Sequence, residues 1–211
     1  MWLRTNALKL AIGAALIAMI IVMVANWWLS NQRALVALAR NVYWEALAAH
    51  EPELSARMVA YVTVRRAQAN KRYWGGKDIY DVVYARKTKK SGKVVCQFSW
   101  TCQGAAKQES RAGVTWKLAM RIASDELAGR FTPPPHLAGA TSYLNPKYSG
   151  RRNLCEFKTR LIRLGKAEPE SQHVFYREPV GTIDKLVLPK RSNVKECRPA
   201  YKKNLAHKGS G

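Results

Sequence analysis

The sequence predicts an α+β fold that is mainly helical, carries a small β element and is preceded by one N-terminal transmembrane helix. Three observations support this fold class: a long uncharged stretch near the N-terminus, apolar residues repeated at helical spacing, and short strand-like runs in the C-terminal half. The 211 residues, 47% of them hydrophobic, suffice for one domain of ordinary size with an appendage.

The N-terminal segment has the length and composition of a membrane-spanning helix. No charged residue occurs from Leu10 to Gln32. About 20 apolar residues cross a bilayer core of roughly 30 Å, at about 1.5 Å per residue. Two basic residues precede the segment, and Trp27 and Trp28 lie where an interfacial aromatic belt is expected, which favours export of the chain that follows.

Two alternatives for this segment stay open. Arg33 and Arg40 follow it closely, which weakens the exported orientation. A cleaved signal peptide could replace a retained anchor, although the region around Ala25 lacks the pair of small residues that a cleavage site needs.

After the anchor, the sequence predicts several helices, and strands follow them in the C-terminal half. Apolar residues at spacings of three and four predict helices around residues 35–49, 52–65, 79–83 and 109–128. The basic segment 85–95 is expected to be a loop. Strand-like runs occur at residues 140–144, 159–164 and 172–177. The chain from about Pro179 shows no clear periodicity, and we expect it to be poorly ordered in part.

The net charge and the cysteine content indicate which partners and which compartment suit the protein. Thirty-six Lys and Arg against 14 Asp and Glu give a net charge of +22, which calls for a polyanionic partner: nucleic acid, anionic lipid or a cell-wall polymer. Export argues against nucleic acid. The four cysteines suit an oxidising compartment and allow three pairings, while the absence of a C-x2-C spacing argues against a metal site.

Glu45 lies on the apolar face of the first predicted helix, together with Leu35, Leu38, Val42 and Ala49. Burial would raise the pKa of such a carboxyl group towards the range in which it exchanges protons near neutral pH. The alternative is a structural Glu that pairs with one of the many Arg side chains.

Two short clusters have the composition of a carbohydrate site. Tyr43 and Trp44 adjoin Glu45, and the sequence Gln97-Phe98-Ser99-Trp100 lies between two cysteines in a loop that a disulfide could stiffen. Ring faces stack on sugars, and neutral polar groups bind their hydroxyls. Ordinary core packing is the other interpretation of each cluster.

Six motifs together resemble the SleB-like, spore-cortex-lytic family of cell-wall hydrolases. In chain order they are Tyr43-x-Glu45-Ala46, the helix with Val59-Ala60 and Arg66, Gln97-Phe98-Ser99-Trp100, Leu127-Ala128-Gly129, Ala140-Thr141-Ser142-Tyr143 and His173-Val174-Phe175-Tyr176. The resemblance covers roughly residues 35–177. The chain departs from the pattern at Trp44, at Arg65-Arg66, and at Ser142 or Leu144, where members often carry other residues.

The resemblance implies a lysozyme-like or lytic-transglycosylase-like domain in which Glu45 cleaves the bond between N-acetylmuramic acid and N-acetylglucosamine. Glycoside hydrolases usually use two carboxylates, whereas a lytic transglycosylase can work with one. Asp78 or Asp81 could supply a second, so hydrolysis stays open. The candidates for substrate binding are Tyr43, Gln97, Ser99, Trp100, Thr141, Tyr143, His173 and Tyr176.

These inferences predict three segments: an anchor at residues 1–31, a peptidoglycan-cleaving domain at 32–178 and a basic, partly disordered tail at 179–211. The expected location is the inner membrane and periplasm of a bacterial cell, with peptidoglycan and the membrane as partners and no cofactor. A phage endolysin of the signal-anchor type fits this architecture. The alternatives are a bacterial wall-remodelling enzyme of the same family and a non-catalytic, membrane-anchored module that binds polyanions.

Overall fold

The computed structural model describes residues 2–102 and 113–197, and the chain divides between Pro133 and Pro134 into two compact units. The described part is mainly helical, with two small antiparallel sheets and one long apolar N-terminal helix. The predicted α+β class is therefore confirmed.

In its described residues, the first unit has four α-helices and a β-hairpin. The helices are α1 (Trp2–Glu45), α2 (Glu53–Gln68), α3 (Ile79–Tyr84) and α4 (Val114–Leu127), and the hairpin strands are β1 (Arg86–Thr88) and β2 (Val94–Cys96). The C-terminal part of α1 packs against α2, α3 and α4. Its core is mostly small and branched side chains, among them Leu38, Val42, Val59, Val62, Val82 and Ile122. Such a core lets the helices approach closely.

Helix α1 combines two environments. Residues 15–33 are exposed, whereas Ala37, Leu38 and Ala39 are fully buried. The helix is long and apolar enough to cross a membrane by length and composition alone. The exposed apolar stretch and the buried stretch thus belong to one continuous helix.

The predicted helices of this unit are confirmed with two differences. The first ends at Glu45 and continues as a 3₁₀ turn, Leu47–Ala49, so that Ala49 is exposed rather than on a buried face. The reason is a tight turn, in which His50 adopts a left-handed conformation (φ 57°) and the Glu51 N–H donates to the Ala46 carbonyl (3.1 Å). The predicted start of α4 at residues 109–112 lies outside the described residues.

The basic segment 85–95 was predicted as a loop, and that prediction is wrong. Lys87 pairs with Val95 and Thr88 with Val94 in the hairpin of β1 and β2. The Lys89 N–H donates to the Lys93 carbonyl (2.9 Å) and closes the turn. Both strands are largely exposed and carry no alternation of apolar and polar residues, so periodicity gave no strand signal.

The second unit contains a three-stranded antiparallel sheet and two helices. The strands β3 (Ser142–Leu144), β4 (Ile162–Gly165) and β5 (Val174–Arg177) are arranged in the order β3-β5-β4, and the helices are α5 (Arg151–Arg160) and α6 (Gly181–Leu186). The three predicted strand-like runs are confirmed, with later starts. Helix α5 was not predicted because it is short and highly charged. Its Leu154 and Phe157 pack against a cluster of Leu144, Val174 and Tyr176.

The four cysteines form two disulfides, Cys96–Cys102 and Cys155–Cys197. The second joins α5 to the 3₁₀ turn Lys195–Cys197, where Lys158 also pairs with Glu196 (2.6 Å). Part of the predicted tail is therefore attached to α5, and residues 198–211 lie outside the described residues. The predicted boundaries at residues 31 and 178 stay predictions.

Candidate active site

Glu45 is the last residue of α1, at the point where the helix gives way to a tight turn. Its side chain is half-buried, between the packed core at Val42 and Ala46 and the exposed residues Ala48 and Ala49. A carboxyl group held there is supported by a rigid helix and still reaches the surface. Both properties suit a group that exchanges a proton with a bound substrate.

Aromatic rings surround this end of α1. The ring of Tyr43 makes an edge contact with that of Trp44, with 4.9 Å between centroids, and lies 6.2 Å from that of Trp116 in α4. Tyr43 and Trp44 are both half-buried, so part of each ring remains accessible. The structure therefore groups aromatic surface of the kind that stacks on sugar rings at the end of α1 that carries Glu45.

The disulfide Cys96–Cys102 closes the loop that carries Gln97, Ser99 and Trp100, as the sequence suggested. Gln97 and Trp100 are half-buried, and Ser99 is exposed at the start of the 3₁₀ turn Ser99–Cys102. We call residues 96–102 the cystine loop. Its Phe98 is buried, and the Arg66 guanidinium carbon lies 5.5 Å from the Phe98 ring centroid.

The cystine loop is bonded directly to α1. The indole Nε1–H of Trp100 donates to Oδ1 of Asn41 with a distance of 3.0 Å. Asn41 precedes Glu45 by four residues, which is about one helical turn and places both on the same side of α1. Glu45 and the cystine loop are therefore parts of one assembly within the first unit.

The other four candidates lie together in the second unit. Thr141 donates its backbone N–H to the Tyr176 carbonyl (2.9 Å), and the rings of Tyr143 and His173 are in edge contact at 4.9 Å. Tyr176 is buried against Phe157, and burial raises the pKa of its phenol. Their assignment to substrate binding stays a prediction.

A second carboxyl group of the first unit, Glu126 in α4, was not singled out from the sequence. Its Oε2 is buried without a hydrogen-bond partner. Burial raises its pKa to about 7, against the smaller opposing effect of the Arg57 charge. Glu126 lies three residues after the buried Ala123 and seven after the buried Ala119, so its helical spacing was the available signal.

Sequence reasoning also missed Asn41 and Tyr84. Tyr84 accepts a hydrogen bond from Arg40 (3.2 Å), and its ring lies 5.8 Å from that of Trp100. A polar residue between Leu38 and Val42 on a helix facing the core was the available signal for Asn41, because a buried amide needs partners.

The family model described as Cell Wall Hydrolase matches residues 50–176 of the chain. This segment is more than half of the chain. The chain belongs to the cell wall hydrolase family. Comparisons with curated proteins and with solved structures find no match.

Family membership identifies the bacterial wall as the material on which the protein acts and confirms the resemblance drawn from the motifs. The matched segment includes the cystine loop and ends at Tyr176, and Glu45 lies five residues before it begins. Within residues 2–102 and 113–197, no group of three His, Cys, Asp or Glu side chains is placed to hold a metal ion.

Proposed function

We propose that this cell wall hydrolase is a peptidoglycan glycosidase that cleaves the bond between N-acetylmuramic acid and N-acetylglucosamine, with Glu45 as its acid and base. The observation that carries the proposal is the position of Glu45: a half-buried carboxyl group at the end of α1, one turn after Asn41, to which the cystine loop is bonded. Membership of a wall-hydrolase family supplies the substrate class.

The proposed reaction is that of a lytic transglycosylase. Protonated Glu45 donates its proton to the glycosidic oxygen as the bond from that oxygen to C1 of the muramic acid breaks. The resulting carboxylate takes the proton of the C6 hydroxyl of the same sugar, and that oxygen bonds to C1. The products are a 1,6-anhydro end and a free hydroxyl, and Glu45 is protonated again.

The structure offers support for this one-carboxylate route over hydrolysis. A hydrolase would use a second carboxylate to activate water or to form a glycosyl-enzyme. Asp78, one of the two sequence candidates for that role, caps α3, because its Oδ1 accepts from the Tyr80 N–H (2.7 Å). A carboxylate engaged in a helix cap is poorly suited to serve as a nucleophile or base.

Products distinguish the two reactions directly. Purified peptidoglycan is digested with the full chain in detergent, and the released muropeptides are weighed by mass spectrometry. A transglycosylase yields anhydro ends, each lighter by one water than the reducing end from hydrolysis. Reducing ends would establish hydrolysis, and an undigested wall would favour a non-catalytic binding module.

We further propose that α1 anchors the protein in the inner membrane and carries the remaining chain to the periplasm, where it acts as an endolysin. The exposed apolar surface of residues 15–29 supports this role, because a water-facing stripe of this kind is costly unless lipid covers it. Production of the full chain in a bacterial cell should then lyse the culture.

The export test compares three forms of the chain. A form that lacks residues 1–31 should be harmless in the cytoplasm, and a cleavable signal peptide fused to the same form should restore lysis. Equal killing by the truncated form without a signal would show that α1 is not the route to the wall.

A further inference from the structure

Asn41 is a fully buried polar residue on the core-facing side of α1, between the buried Leu38 and Val42. Its Nδ2 donates to Thr63 Oγ1 (3.0 Å), and the Thr63 hydroxyl donates to the Val59 carbonyl (2.9 Å). Its Oδ1 accepts from Trp100 Nε1 (3.0 Å). Three hydrogen bonds in series thus connect α2, α1 and the cystine loop.

Packing of the helices alone does not require this network of hydrogen bonds. Leu38 and Val42 beside Asn41 are fully buried, and an apolar residue of similar size would fill the same position without desolvating an amide. A buried amide with both ends satisfied instead fixes one geometry, because alternatives leave polar groups unpaired. The geometry fixed here is that of the Trp100 indole.

The disulfide alone does not determine the orientation of that indole. Cys96–Cys102 restrains the ends of the cystine loop, whereas the Trp100 side chain can still rotate about its own bonds. Two contacts remove this freedom: the hydrogen bond to Asn41, and the edge contact with Tyr84 at 5.8 Å. Tyr84 is itself held by Arg40 of α1.

We propose that Asn41 is a positioning residue for the glycan-cleaving reaction: it holds Trp100 as a substrate-stacking ring, and it lies about one helical turn, roughly 6 Å along the axis of α1, before Glu45. The inference rests on the proposed function and adds a residue that does not itself touch the substrate. Binding of the glycan then depends on a hydrogen bond made within the core of the protein.

The test uses Asn41→Leu in the full chain, with detergent-solubilised protein and uncrosslinked glycan strands as substrate. This change removes both hydrogen bonds of the amide, and loss of the one that holds Trp100 should raise KM roughly fivefold to tenfold, while kcat changes less than about twofold because Glu45 is unaltered. The control is Ile122→Val, a mild core truncation in α4 that lowers stability without touching the loop. Its KM should be unchanged.

A spectroscopic measurement reports the orientation itself. In ¹⁵N spectra of the indole groups, the Nε1–H signal of Trp100 is assigned by its disappearance in Trp100→Phe. In Asn41→Leu this signal should move and exchange with solvent faster, with the other indole signals in place. An unmoved signal and an unchanged KM would overturn the proposal.

Trp100→Phe keeps the inference testable if Asn41→Leu fails to fold, because it removes the donor and retains a smaller aromatic ring. It should raise KM to a similar extent, and the double variant should be no worse than either single one. Additive effects would overturn the link through Trp100. Failure of the proposed function can be distinguished from failure of this inference, because it would appear as full turnover in Glu45→Gln.

Discussion

Arg57 and Asp125 join the beginning of α2 to the end of α4 through an ion pair, with 3.2 Å between Nη1 and Oδ2. Arg57 also binds Glu53 of its own helix (2.8 Å), and Asp125 binds Arg130 (2.8 Å). These charges lower the pKa of Asp125, whereas burial of the adjacent Glu126 raises its pKa to about 7. Neighbouring acids on one helix therefore respond to pH in opposite ways.

The raised pKa of Glu126 predicts a loss of stability as pH rises. The unfolded chain releases this proton near pH 4.5 and the folded chain near pH 7, so stability falls between those values and the full penalty is present above pH 7. With solvent screening of a partly exposed group, we expect about 2 kcal/mol, or roughly 5 °C in Tm. Glu126→Gln should remove this dependence.

The measurement is the Tm of both proteins from pH 5 to pH 8. Asp184→Asn is the control, because hydrogen bonds from Arg177 and the Val180 N–H lower the pKa of Asp184 to about 2. The Asp184 carboxylate stabilises the fold fully above pH 3.8, and this stabilisation disappears as pH falls towards 2, which is outside the tested range. Parallel curves for the wild type and Glu126→Gln would refute the assignment.

At Gly75, the addition of a single methyl group should destabilise the protein strongly. It has φ +108°, and a Cβ at this position would lie 2.5 Å from the Asp81 carbonyl oxygen of α3. Gly75→Ala should therefore lower the free energy of unfolding by roughly 2 kcal/mol or more, since backbone must move. Gly92→Ala in the hairpin turn shares a positive φ but meets nothing within 4 Å, and should cost about 1 kcal/mol. Denaturant titration compares them, and equal losses would contradict the steric argument.

The sequence could predict α1 to α4 and the strands β3 to β5 because their apolar residues recur at regular spacing. It could predict the family because six motifs occur in order. Helical spacing places Glu126 and Asn41 on buried faces, but it could not predict which groups they meet there. Which groups a polar side chain on a helix meets depends on elements distant in sequence, and Trp100 reaches Asn41 across 59 positions. The same limit explains the missed hairpin, whose strands are stabilised by pairing with each other rather than by burial of an alternating face.

The two disulfides should differ in their consequences. Cys155–Cys197 closes a separation of 42 residues and Cys96–Cys102 one of six. In the chain-entropy model, their removal by serine costs about 4 and about 2 kcal/mol respectively. Loss of Cys96–Cys102 should nevertheless lower glycan turnover more, because it frees the loop with Trp100. The Tm and the turnover of both double-serine variants test this prediction. It would be contradicted if the same variant showed the larger loss in both measurements.

The cationic hairpin should attract the protein to the anionic envelope. Arg86, Lys87, Lys89, Lys90 and Lys93 are exposed there, and residues 85–95 contain no acid. Exposed charges are screened over about 8 Å at physiological salt, so binding to isolated walls should weaken as salt rises. Neutralising Lys89, Lys90 and Lys93 to Gln should weaken binding at low salt and flatten the salt dependence.

The matched control neutralises three exposed cations elsewhere in the first unit, Arg72, Lys77 and Lys117. It has the same net charge as the hairpin variant, so co-sedimentation with walls separates a local surface from overall charge. Equal weakening in both variants would show that net charge alone attracts the protein. Binding that ignores salt would contradict electrostatic attraction altogether.

Glu45→Gln tests the residue on which the proposed chemistry depends. The amide keeps the size of the side chain but can neither donate a full proton to the glycosidic oxygen nor take one from the C6 hydroxyl. General acid–base catalysis typically contributes about 10² to 10⁴ in rate, so turnover on purified peptidoglycan should fall by at least about two orders of magnitude. Glu126→Gln, a carboxyl group in the same unit, is the matched control and should retain turnover.

Melting temperature separates this role from a structural one. Glu45 is half-buried at a helix end, and an amide of the same shape should leave Tm unchanged within a few degrees. A Glu that served chiefly as an ion-pair partner would give the opposite result, because its loss leaves a desolvated cation and lowers stability while turnover persists. Lost turnover with retained Tm therefore supports the catalytic role, and retained turnover with a lowered Tm would replace it with a structural one.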